Sequence, residues 1–99
     1  MTSEHKLAKE LFSHLEHIAR DNGYVTIARV EMTVGMLHGA SAESLTHSFE
    51  DAFSGTRFDG ARVRVTLVDS GERFCPPGRD DEVTATGWEI LVTHMDGQK

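Results

Sequence analysis

The chain is nearly free of cysteine. Cys75 stands alone among 99 residues, which rules out an internal disulfide and suits a reducing compartment. Both prolines, Pro76 and Pro77, and the only tryptophan, Trp88, fall close to it in one stretch, GERFCPPGRDDEVTATGWEI. No apolar run approaches the ~20 residues of a membrane helix, and the opening MTSEHKLAKEL is too charged for the apolar core of a signal peptide. Basic side chains are outnumbered 10 to 16, giving a formal charge of −6 that repels phosphate backbones and anionic lipid headgroups. Neither nucleic acid nor membrane is an expected partner, and the cytoplasm is the expected location. A phosphate-binding glycine pattern and a nucleophile motif are also missing, and the carboxylates fall mostly on polar faces, so no enzyme activity is expected.

What is present is the composition of an ordinary globular domain, 38% apolar and 26% charged. A chain this short buries roughly 60–65% of its unfolded surface, enough for one core, so residues 1–99 read as a single domain. Leu7, Leu11, Leu15 and Ile18 lie within an arc of roughly 80° on a helical wheel, which predicts a helix over about residues 4–21 ended by Asn22-Gly23. From Tyr24 the period changes to two. Ala28, Val30, Met32 and Val34 then share one face of a strand, against Arg29, Glu31 and Thr33 on the other.

GMLHGAS breaks this strand, and Ser41 can cap a second helix with Leu45, Phe49, Ala52 and Phe53 on its apolar face and Gly55 at its end. After the turn FDG, Ala61, Val63, Val65 and Leu67 alternate with polar residues in a second strand; Trp88, Ile90 and Val92 do so in a third. The expected class is α+β: a two-layer sandwich of order α-β-α-β-β, its three-stranded sheet covered on one face by both helices. The last two strands, adjacent in sequence, are expected to pair antiparallel. Leu11, Leu15, Val30, Met32, Leu45, Phe49, Val65 and Ile90 are the expected core.

Six histidines are the first hint of metal or proton chemistry. His14 and His17 are three apart on the first helix, near enough to share an ion, yet boundary and surface positions account for both. His5 lies roughly 120–180° from either on the wheel, which excludes a three-histidine site on that helix. His38 sits in a Gly-flanked loop; His47 on the second helix and His94 near the end of the third strand read as ordinary partly buried or solvent-exposed residues. Cys75 has no thiol or imidazole beside it, whereas structural zinc takes four ligands.

Taken in order, HKLAKELFSHLEHIARDNG, IARVEMTVGMLHGASAESLTHSFEDAF, GTRFDGARVRV and GWEILV resemble the HypA/HybF family of hydrogenase maturation nickel chaperones. The resemblance covers most of the chain. It implies a metallochaperone that handles nickel in nickel-iron hydrogenase maturation by non-catalytic binding, docking to a maturation GTPase and the hydrogenase large subunit as a monomer or homodimer. In the family the connection between the last two strands carries a zinc domain of paired Cys-x-x-Cys motifs. Here FCPPGRDDEV resembles its second half with three cysteines gone, so residues 70–82 read as a shortened remnant and zinc is not expected.

The family opens Met-His-Glu, and the resemblance implies nickel held in a square plane by that histidine, the free amine and backbone amides. Aligned on Leu7-Ala8, this sequence has Ser3 at the histidine's place, keeps Glu4, and carries His5 one position later. With the initiator methionine removed, amine, intervening amides and the His5 imidazole give one donor too many for a square plane. Weak nickel binding in another geometry, through His5 and Glu4, is the expectation. The alternative is a protein-interaction module of the same fold that has lost metal transfer.

Overall fold

The computed structural model describes the backbone of residues 3–99 and the side chains from residue 6 onward. Helix α1 covers Ser3–Asp21, close to the span expected from its apolar stripe. Strand β1, Thr26–Gly35, follows and runs into a single 3₁₀ turn, Met36–His38. Helix α2, Ala42–Phe53, starts where Ser41 was expected to cap it: the Ser44 N–H donates to Ser41 Oγ at 3.0 Å. Strand β2 is Arg62–Val68, and β3 (Arg73–Phe74) and β4 (Val83–Thr84) form a small antiparallel ladder. Strand β5, Ile90–Gln98, closes the sheet.

The three-stranded sheet has the order β2-β1-β5, with β1 parallel to β2 and antiparallel to β5. The expected antiparallel pairing of the last two long strands is therefore wrong. Helix α2 is a crossover between β1 and β2, and such a connection delivers a parallel neighbour. That fills one edge of β1 and leaves the other for β5, whose nine residues match the ten of β1 better than the seven of β2 do. The chain crosses from one edge of the sheet to the other through residues 69–89, where β3 and β4 give structure to what alternation alone showed as a loop.

Both helices lie on one face of the sheet, and the Cα trace measures 37 × 36 × 17 Å, its shortest extent fitting two layers. Ala8, Leu11, Leu15 and Ala19 of α1 meet Leu45, Phe49 and Phe53 of α2 over Ile27, Val30, Met32 and Val34 of β1. Of the expected core, Leu11, Leu15, Val30, Met32, Leu45 and Phe49 are buried and Val65 packs against them. Ile90 does not join: it is 37% exposed at the start of β5.

Two register shifts explain the departures from strict alternation. One lies between Ile27 and Arg29, so Ile27 is buried and Ala28 exposed, the reverse of the expected phase. The other lies opposite Glu31–Met32; it puts Val92 and Met95, three residues apart, against the same core. An extra residue in one strand moves all later side chains to the other face, which a period of two cannot anticipate. Phe58 is the other surprise. Read as part of a turn, it is fully buried, with its ring 5.0 Å from Phe53 and 5.5 Å from Phe12.

Candidate functional site

Glu4 and His5 occupy the first turn of α1, just ahead of Ala8, where the helix begins to bury its stripe. Their side chains lie outside the described residues. The other histidines can be placed. His17 lies 3.2 Å from Asp21 and 3.5 Å from Arg20 on its own helix, His47 lies 3.6 Å from Glu50, and His94 lies 2.6 Å from Asp96. Each faces an acid on its own element. All are exposed, as is His14, and exposed pairs of this kind contribute little. Among the described residues no three His, Cys, Asp or Glu side chains converge in a way that could hold a metal ion.

The connection from β2 to β5 offers a poor zinc donor set. Cys75 is exposed, and its thiol lies 2.9 Å from the Arg79 carbonyl oxygen, an acceptor that suits S–H rather than a metal-bound thiolate. Two nearby carboxylates are engaged: Asp81 by the fork of Arg79, with contacts of 3.0 and 3.2 Å, and Glu82 by Arg73 at 3.6 Å. Arg79, and then the Asp81 N–H, hold the Asp81 carboxyl below the usual carboxylate range. One thiol with ion-paired acids does not fit a four-ligand structural zinc.

The more ordered arrangement lies at the end of the sheet where β1 finishes and β5 begins. Gly35 N–H donates to the Glu89 carbonyl at 2.7 Å, and Leu37 N–H donates to the Gly87 carbonyl at 2.9 Å. The backbones approach so closely that a Cβ at Gly35 would overlap the Gly87 carbonyl. Gly87 itself needs φ +93°, which an L side chain rarely adopts, and Leu37 already fills the space a Cβ would take. Glu89 locks the turn from below: its carboxylate accepts from Thr86 N–H at 2.7 Å, Gly87 N–H at 2.9 Å and the Thr86 hydroxyl at 3.2 Å. Those donors, Thr86 N–H foremost, hold its carboxyl below the usual range against an opposing push from partial burial.

His38 lies against this turn. Its Nε2 is 3.0 Å from the Trp88 carbonyl oxygen and its ring meets the Trp88 indole edge to face at 5.3 Å. The role of Glu89 as a turn cap was not visible from strand alternation, which makes it simply a polar-face residue. The Thr86-x-x-Glu89 spacing, like that of a capping box, was the available signal.

No protein-family model matches the sequence, and no curated protein matches it. The architecture is more informative. The solution structure of the Ni metallochaperone HypA from Helicobacter pylori superposes with a TM-score of 0.69 at 15% identity, over 96% of this chain and 97% of that one. A second solution structure, of a HypA protein, gives 0.58 at 16% identity, over 95% and 94%. The fold is HypA-like. At this identity the likeness concerns the path of the chain.

Proposed function

We propose that the protein is a HypA-like accessory factor for nickel handling in nickel-iron hydrogenase maturation, acting by metal binding and protein docking rather than catalysis. The observation that carries this reading is the near end-to-end structural match to a nickel metallochaperone, together with the ordered sequence resemblance. Glu4 and His5, in the first turn of α1, are the proposed nickel ligands; imidazole suits nickel, and a neighbouring carboxylate adds charge. The partners on this reading are a maturation GTPase and the hydrogenase large subunit, in the cytoplasm; no helix among the described residues is long and apolar enough to cross a membrane. Residues 70–82 are then a shortened remnant of the zinc-domain insertion, with Cys75 the last of its thiols.

Calorimetric titration of the purified chain with nickel at neutral pH tests the reading. Weak binding is expected, falling as pH drops through the histidine range near ~6.5 because the ligands must shed protons. His5→Ala should abolish most of it, and replacement of His14 and His17 should leave it intact. Binding that survives His5→Ala but is lost on replacing His38 or the His14/His17 pair would place the site elsewhere. A second reading, an interaction module that has lost metal transfer, is favoured by Ser3 standing where the resemblance puts the histidine; a wild-type chain that takes up no nickel would select it.

A further inference from the structure

Among the described residues exposed large apolar side chains are few, and four of the five gather at one end of the sheet: Met36 is 47% exposed, Leu37 46%, Trp88 58% and Ile90 37%. They are presented by a stiff support. The Gly35–Glu89 and Leu37–Gly87 backbone bonds, the glycine-glycine approach and the Glu89 cap fix the turn, while His38 holds Trp88 by ring and carbonyl. Residues 69–72 close the same end, with Gly71 N–H donating to the Ala85 carbonyl at 2.9 Å and Ala85 N–H to the Glu72 carbonyl at 2.7 Å.

The charge around this patch has one sign. The segments that build it, residues 35–40, 69–72 and 85–90, carry Asp69, Glu72 and Glu89 and no lysine or arginine. None of the three acids is ion-paired among the described residues, and the nearest cation in sequence, Arg73, is turned to Glu82. A rigid tryptophan beside an adaptable methionine is the composition of an interface anchor. We propose that this end of the sheet docks a short segment of another protein that places an apolar side chain on Met36, Leu37 and Trp88 and flanks it with lysine or arginine facing Asp69, Glu72 and Glu89.

A second copy of the chain fits worse. Four side chains fall short of the roughly 800 Å² per partner that a standard interface buries, and a symmetric pair would oppose two acidic rims. The proposal does not depend on nickel binding.

Selection of a random 12-residue displayed peptide library on the immobilised full chain tests it, with Trp88, the only tryptophan, as the optical reporter. Enriched peptides should carry a Leu or Phe flanked by at least two basic residues, and should shift Trp88 emission to the blue. Affinity should drop about ten-fold or more for the Met36→Ser/Leu37→Ser variant, and similarly when the peptide's basic residues become glutamate. Circular dichroism checks the double variant, and Met36→Ser alone replaces it if its spectrum is lost. No enrichment, enrichment of acidic peptides, or equal binding by the variant would overturn the proposal. Dimerisation of the wild type in sedimentation, abolished by the same substitutions, would also overturn it in favour of a second copy.

Discussion

Along its middle, β1 is held by buried side chains as well as by the ladders to β2 and β5, whereas just past its end backbone bonds act without burial. Val30, Met32 and Val34 are 0–3% exposed beneath Leu15, Leu45 and Phe49, so dispersion and apolar burial fix the strand there. Beyond Gly35 the burial gives way to Met36 and Leu37, nearly half exposed, and position is set instead by N–H to carbonyl bonds across to 85–89 and by one carboxylate. The contrast teaches that an apolar patch facing solvent need not be loose. Polar bonds behind it can stiffen it without covering it.

The largest effect should come from breaking the packed region. Phe49→Ala and Phe58→Ala each remove a ring with no exposure and should cost about 3–5 kcal/mol in urea unfolding, a large part of the stability of so small a domain. A loss below about 1 kcal/mol at Phe58 would return it to the turn where alternation placed it. Gly35→Ala attacks the other region and should cost about 2–3 kcal/mol, because the atoms it meets are Gly87 backbone, which cannot rotate away as a side chain does. Its Trp88 emission should change in the folded state, and emission identical to wild type would show that the two turns are not coupled.

Glu89→Gln should be milder, about 0.5–1 kcal/mol at neutral pH, since solvent screens the cap. The carboxyl is held below its unfolded range, so its contribution is complete above the ordinary carboxylate range and is lost as pH falls through the folded-state value. Stability of the wild type minus that of the variant should shrink on acidification; a difference independent of pH would remove the cap from the account. Smallest of all is Cys75→Ser, expected within about 0.5 kcal/mol of wild type at an exposed site. A chelator should leave the wild-type Tm unchanged, and one tightly held zinc per chain by elemental analysis would contradict the remnant reading.

The two helices, the three long strands and most of the core were legible because each rests on a local period. Leu7, Leu11 and Leu15 need only a helix to lie together, and Val63, Val65 and Leu67 need only a strand. Ser41 could be named as a cap because its partner N–H is three residues away. What the sequence alone determined is where the two helices and three long strands lie and most of their apolar positions, since those follow from neighbours a few positions apart. Tertiary structure decided the rest: that β1 is central, that β5 pairs with it rather than with β2, that register shifts bury Ile27 and set Met95 against the core, and that Ile90 stays exposed at the start of β5. It also seated Phe58 among Phe12 and Phe53, and brought Gly35 against Gly87, 52 residues away. Strand partners compete for the same backbone groups with little regard to side-chain pattern, so the choice falls to the crossover helix, the strand lengths and the space left over the core.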